Sequence, residues 1–365
     1  NGGMVTPATA RRFPVRMMES GPAAGALMSA RHGKALGIPD ILSFDMGGTT
    51  AKGALVRDDV PLRTYELEVA RVHEFKPGSG IPIKIPVIDM IEIGAGGGSI
   101  AEVDQRGVIR VGPRSAGADP GPACYGRGGE AATLSDANVV LGYLDPDFFL
   151  GGDMPLDARA SESAIDHHIA KFLDVSVARA AWGIHETINE DVARAFRVHA
   201  AERGFDYRGC TMIAFGGSGP VHAHSIAAKL KVPRVIFPPA AGVMSALGLL
   251  VTPLSFDVAR TNLTFVDALE DDWYDRHYRS LAEEATRLLR EAGVSEEDIT
   301  VIHRLDLRYQ GQGFEIEVTL PDTSDSTAMR SAIPKEFGKR YQDIFSVPGL
   351  EERLEVVNWK IEARG

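Results

Sequence analysis

Cysteine is scarce: Cys124 and Cys210 are the only two in 365 residues, too few for a disulfide framework. Also missing is any apolar run of the roughly 18 to 20 residues that a membrane span requires. The longest candidate, around Ala240–Val251, is too short and is interrupted by Gly242 and Gly248. Positive charge is in deficit, 39 Lys and Arg against 50 Asp and Glu for a net charge of −11, which excludes a whole-chain basic footprint for nucleic acid. The opening Asn1-Gly2-Gly3 has neither the charged start nor the apolar core of a secretory signal. These absences lead to the expectation of a soluble, cytoplasmic chain with neither nucleic acid nor membrane as a partner.

Glycine and proline, by contrast, are abundant, 39 and 21 residues, and they recur without the period of collagen and among too many aliphatic residues for disorder. At roughly 100 to 200 residues per domain the length suits two or three domains. Ser20–Ala35 reads as a helix, after which Ile38-Pro39 breaks the chain and Ile41–Phe44 begins a buried strand. Ala51–Val56 and Pro61–Glu74 alternate in the manner of further strands. From Phe75 to Gly129 the composition shifts to Gly, Pro and short strand-like runs, Gly112–Gly129 being mostly irregular, which suits an insertion on a larger α/β frame. Helical period returns at Ser135–Leu144 and Ser161–Leu173, and most clearly over Ser176–Arg203, where Ala181, Ile184, Ile188, Val192, Ala195 and Val198 form one stripe. Short strands then alternate with helices: Thr211–Phe215, Val221–Leu230, Arg234–Phe237, Ala240–Leu250. That rhythm indicates a parallel or mixed sheet with helices packed on it. The tail, with a helix bearing Trp273, His277, Leu281, Leu288 and Leu289, strands at Val301–Tyr309, Phe314–Leu320 and Leu354–Glu362, and a helix near Ser331–Phe345, reads as a closing α+β unit. The expected division is 1–75, 76–133, 134–262 and 263–365.

Three glycine turns carry candidate chemistry. Asp45-Met46-Gly47-Gly48-Thr49-Thr50 ends an apolar strand and is followed by strand. Glycine there allows backbone N–H groups to approach phosphate oxygens, the Thr hydroxyls add donors, and Asp45 is placed to hold Mg²⁺ through water. With no Lys and no following helix it is not a P-loop, and an ordinary hairpin turn is the alternative. Phe215-Gly216-Gly217-Ser218-Gly219-Pro220 also ends a strand but opens a helix, whose first amides and dipole favour a nucleotide or other anion; the alternative is a tight connection capped by Ser218. Gly94–Ser99 is followed by strand rather than helix, so a dinucleotide loop is excluded. It is left as a glycine hairpin or as a flexible segment over a ligand, with Gly96 and Gly97 against the cofactor. His222 and His224 fall on different helix faces and make a poor metal pair, leaving His222 as a reach toward the Gly216–Gly219 loop. His167, His168, His185 and His199 suit surface or half-buried helix faces. Cys124 has no visible base and reads better as a small buried thiol than as a nucleophile. Asp136 opens a helix, where an acid is expected for capping alone, with a catalytic role as the other reading.

Asp45–Thr50, Gly94–Ser99, Val111–Gly129, Ser135-Asp136-Ala137-Asn138 and Glu202-Arg203-Gly204 through Ala223, in this order, resemble the hydantoinase A/5-oxoprolinase family, and the likeness runs from Ser20-Gly21-Pro22-Ala23 to about Asn358. The resemblance implies an α/β fold of the actin-like ATPase (ribonuclease H-like) type, with ATP and Mg²⁺ in a cleft and the Gly/Pro-rich segment as a β insertion. It implies Asp45 as a catalytic and metal-contacting residue, Gly47, Gly48, Thr49 and Thr50 as the phosphate loop, and Gly216, Gly217, Ser218 and Gly219 on the adenosine side. The implied activity is ATP-dependent hydrolysis of a hydantoin, 5-oxoproline or lactam, through an A-type subunit in a hetero-oligomer with a B-type subunit. A ketone carboxylase is the runner-up within the family, and a sugar-kinase-like enzyme or an inactive interaction fragment are further alternatives. Two departures from the family pattern stand out: Lys52 occupies an acidic position after the Gly-Gly-Thr loop, and Ile91 or Glu92 a histidine position before the glycine run. Only one Asp-x-Gly-Gly-Thr element is present, so the chain is expected to be a fragment lacking the N-terminal domain and half of the ATP cleft.

Overall fold

The computed structural model describes residues 3–70, 78–323, 325–349 and 352–365. The chain divides into two units, Glu19–Val251 and Asn1–Met18 with Thr252–Gly365. In the first, helix α1 (Ser20–Leu36) ends on Gly37 in the left-handed conformation, and strand β1 (Ile41–Met46) follows. Nearly every residue of β1 is buried, as expected of an interior strand covered on both faces. The chain reverses at Gly47–Thr50 into β2 (Ala51–Arg57) and β3 (Val60–Pro61). Beyond it the strand expected over Pro61–Glu74 is broken into two- and three-residue pieces, and its end past Ala70 lies outside the described residues.

Strand β4 (Met90–Ile93) pairs antiparallel with β2, bringing part of the Gly/Pro-rich segment into the main sheet. The hairpin β5 (Ser99–Val103) and β6 (Ile109–Ser115) follows; the strand runs to Ser115, and the irregular stretch begins only after it. Helix α2 covers Leu134–Val140, and α3 covers Val177–Glu202 behind a Ser176 cap. The anticipated stripe of α3 is the buried one: Ala181, Ile184, Ile188, Val192 and Ala195 join the largest core with Phe44, Leu42 and Met212. Strand β7 (Thr211–Phe215), helix α4 (Gly219–Leu230), strand β8 (Arg234–Ile236) and helix α5 (Met244–Val251) complete the unit. The sheet order is β8-β7-β1-β2-β3. β1 is parallel to β7 and antiparallel to β2, and β7 is parallel to β8. An antiparallel meander continued by parallel strands is the arrangement of a ribonuclease H-like lobe, the fold type expected.

The other unit is an antiparallel sheet, order β9-β12-β10-β11, of β9 (Ser255–Phe265), β10 (Thr300–Tyr309), β11 (Ile316–Thr319) and β12 (Leu354–Arg364). Helices α6 (Ser280–Glu291) and α7 (Ser326–Phe345) share its core through Trp273, Tyr278, Leu281, Phe337 and Trp359. Strand β9 was not anticipated: its middle, residues 259–263, is exposed, so the polar Arg260, Thr261 and Asn262 mask the alternation. Asp306 and Lys360 are buried on this sheet and paired at 2.6 Å.

Candidate nucleotide site

Parallel pairing in register sets Asp45 beside Phe215, so the turns after β1 and β7 leave the same edge of the sheet. In open α/β sheets ligands gather at such carboxyl ends. The two turns touch: the Ser218 amide donates to the Met46 carbonyl at 2.8 Å. Gly216 has φ +83, and a Cβ there would collide with the Met46 carbonyl and the Asp45 carboxylate. Only glycine satisfies both demands. Ser218 makes no side-chain cap on α4, which removes the capping alternative. A Cβ built on Gly97 would lie 3.0 Å from Ser218 Oγ and 4.0 Å from Gly48 Cα, so both turns approach the glycine run at one point.

The first turn is closed by the Gly47 amide donating to the Thr50 carbonyl at 3.0 Å, and Gly48 and Thr49 stand exposed at its tip. Pro22, Asp45, Gly47–Thr50 and Lys52 line a cavity of ≈360 Å³. Asp45 is half-buried and accepts from the Ser245 hydroxyl of α5 at 3.2 Å. Burial pushes its carboxyl up, and the Ser245 bond and the Lys52 charge oppose that rise without cancelling it. Lys52 faces Asp45 across the hairpin, and its ammonium meets Glu19 at 2.6 Å and Glu92 at 3.0 Å. Burial would lower its pKa, but the two carboxylates raise it overall, so it remains a cation.

Several residues sit otherwise than the sequence suggested. Gly96 and Gly97 do not hang over the ligand: both are buried, the Gly96 amide donates to Ser99 Oγ at 2.8 Å and the Gly97 amide to the Gly47 carbonyl at 3.1 Å. With the Gly98 amide on the Gly48 carbonyl at 2.7 Å, the run clamps the first turn from behind, and a Cβ on Gly96 would strike the Gly48–Thr49 peptide. Asp136 is wholly buried, and its carboxylate accepts from the amides of Ala123, Cys124 and Thr133 and from the hydroxyls of Thr133 and Ser161. Five donors occupy its lone pairs, so it ties the irregular segment to α2 rather than moving protons. Cys124 is buried against that carboxylate, and burial, reinforced by the Asp136 charge, pushes its thiol far up. It is the small buried thiol that the sequence favoured.

His222 likewise points into the core. It is 0% exposed, with Nδ1 on Asn189 Oδ1 at 2.9 Å and Nε2 on Asn138 Nδ2 at 3.1 Å. The Asn138 amide donates, so Nε2 carries the lone pair and Nδ1 the proton. Burial, and His185 beside it, pull its pKa down to about 3. His185, expected on a surface or half-buried helix face, is buried, stacks on His222 at 4.7 Å and bonds Asn138 Oδ1 at 3.0 Å. This network anchors the first turn of α4, and thereby the second glycine turn, to α2 and α3. Sequence reasoning gave Asn138 and Asn189 no role and His185 only a place on a helix face; the trace they left was polar residues on otherwise apolar helix stripes.

Residues 1–258 match the sequence profile of the family described as Hydantoinase/oxoprolinase. The chain belongs to this family. It is 38% identical over 368 residues to an uncharacterised protein of Methanocaldococcus jannaschii, covering 100% of this chain and 52% of that one. It is 32% identical to the caprolactamase subunit alpha of Pseudomonas jessenii, covering 98% and 51%, and 33% identical to the acetophenone carboxylase gamma subunit of Aromatoleum aromaticum, covering 94% and 48%. The crystal structure of the ATP-dependent caprolactamase from Pseudomonas jessenii superposes with a TM-score of 0.74 at 31% identity, over 94% of this chain and 49% of that one. The chain thus spans about half the length of these relatives. Among the described residues no helix is long and apolar enough to cross a membrane, and no group of three His, Cys, Asp or Glu side chains could hold a metal ion.

Proposed function

We propose that this chain is the nucleotide-binding part of an A-type subunit that hydrolyses a cyclic amide at the expense of ATP, together with a B-type subunit. The observation that carries this reading is the contact of the two glycine turns at the ends of β1 and β7. The residues fit a phosphate chain. Gly48 and Thr49 are exposed at the turn's tip, Lys52 supplies a cation in the same cavity, and α4 directs its N-terminus at the second turn. Asp45 is the carboxylate in position for water-mediated Mg²⁺, which would neutralise phosphate charge. Positioning and charge stabilisation are what such a site contributes to phosphoryl transfer.

A ring amide is a poor electrophile. Transfer of the γ-phosphoryl group breaks its bond to ADP and forms one to the amide oxygen as the ring nitrogen loses its proton. Water then adds at that carbon, the nitrogen leaves as an amine, and a second water releases phosphate from the acyl phosphate. The caprolactamase relative supports this reaction class. The acetophenone carboxylase relative, at nearly the same identity, supports ATP-dependent ketone carboxylation as the second reading. Turnover by the full-length protein with its partner separates them: ADP formation dependent on hydantoin, 5-oxoproline or lactam supports the first, and bicarbonate-dependent consumption of a ketone overturns it. Lack of any Mg·ATP binding would leave only an interaction module.

A further inference from the structure

Where the two glycine turns approach the glycine run, most backbone donors are already committed. The Gly97 amide is on the Gly47 carbonyl at 3.1 Å and the Gly98 amide on the Gly48 carbonyl at 2.7 Å. The Ser135 amide is on the Gly97 carbonyl at 2.7 Å, that of Gly216 on the Ala241 carbonyl at 3.0 Å, and that of Ser218 on the Met46 carbonyl at 2.8 Å. An amide bound to a carbonyl reaches a ligand only by breaking that bond. An anion entering the seam between the turns therefore depends on side chains.

Two hydroxyls are placed for it. A Cβ built on Gly97 would lie 2.8 Å from Ser135 Oγ and 3.0 Å from Ser218 Oγ, so both converge on one face of Gly97, separated by no more than the sum of those distances. One ligand oxygen between them is within hydrogen-bond reach of both. Gly48 Cα stands 4.0 Å from the same point and belongs to the exposed tip of the first turn. Both hydroxyls retain surface, Ser218 being half-buried beside the exposed Gly217 and Ser135 7% exposed. Their protons are free to be given. Ser218 caps no helix amide. Ser135 meets the Tyr125 phenol, which burial pushes up and so keeps protonated; Ser135 accepts from that phenol and retains its own proton. A nearly buried hydroxyl with an unused proton carries a cost that an acceptor oxygen removes. A hydroxyl pair alone suits any acceptor, but its place between the tip of the first turn and the second turn selects a phosphate oxygen.

We infer that Ser135 and Ser218 together hold a phosphate oxygen of the nucleotide, which makes Ser135, at the start of α2, part of the phosphate site. The inference rests on the nucleotide reading and adds a contact that the glycine turns do not supply. Titration calorimetry of the full-length protein tests it, with Mg·ATP, magnesium tripolyphosphate and adenosine as probes. Ser135→Ala and Ser218→Ala should each weaken Mg·ATP and the tripolyphosphate by about tenfold and leave adenosine unchanged, because only phosphate meets the hydroxyls. Ser218→Thr, which keeps a hydroxyl at a half-buried position, should retain the affinity of the unaltered protein. Unchanged Mg·ATP affinity in both alanine variants would mean that water alone fills the seam, and an equal loss for adenosine would mean that the two residues only support the fold; either result overturns the inference. An unaltered protein that binds none of the three probes overturns the nucleotide reading itself.

Discussion

Burial raises the Asp45 carboxyl, while the Ser245 hydroxyl and the Lys52 ammonium favour its charged form. In the proposed function this carboxylate, at a strand end beside an exposed glycine turn, serves Mg²⁺ rather than stability. Asp45→Ala in the full-length protein should therefore abolish ATPase activity with little change in thermal unfolding; full activity would remove Asp45 from the site. Gly216 is the opposite case. Its φ of +83 and its contact with Met46 leave no room for a methyl group, so Gly216→Ala should cost about 1–3 kcal/mol in denaturant unfolding and weaken Mg·ATP binding. Asp136→Ala leaves five donors without their acceptor. It should destabilise by several kcal/mol, and what activity survives should keep its KM for ATP; an altered KM with unchanged stability would restore a catalytic role. The position of Asp45 at the end of an apolar strand, just before a glycine turn, was readable from the sequence, because the apolar run and the glycine pair mark both. The roles of Asp136 and His222 were not, since a carboxylate at a helix start and a histidine after a glycine turn look the same whether they face solvent or the core.

Helices α2, α3 and α4 meet over a polar network sealed from water, and its pH response is a property of those elements together. His222 titrates near 3 in the folded chain against an ordinary 6.5, and His185 is also lowered. The unfolded chain thus binds more protons between those values, so stability falls as pH drops below about 6.5 and continues to fall toward 3. Each histidine contributes a slope of at most about 1.4 kcal/mol per pH unit. Urea unfolding from pH 8 to 4 should show this loss, and His222→Gln should flatten it; an unchanged slope would contradict the buried, neutral assignment. Helices and strands with strong periodicity were legible at this scale: α3 and β7 fall where the apolar pattern placed them. The glycine run was not, because its neighbours are backbone groups of Gly47 and Gly48, and backbone packing leaves no side-chain pattern. Strand β9 was hidden for a related reason, its exposed polar residues breaking the alternation that marks a half-buried strand.

For the whole molecule, one sheet supplies both halves of the proposed grip through a parallel pairing between segments about 170 residues apart in sequence. Sequence resemblance indicated the fold class and the family, and the strand order supplies their physical reason. With the B-type partner present, the full-length protein should release one ADP for each ring opened, and ring opening that proceeds without ATP would contradict the phosphorylation step. The most direct measurement is a crystal structure of the full-length protein with Mg²⁺ and a non-hydrolysable ATP analogue. The account predicts phosphates against Gly47–Thr50 with Gly216–Gly219 on the same nucleotide. A nucleotide bound away from either turn would contradict it.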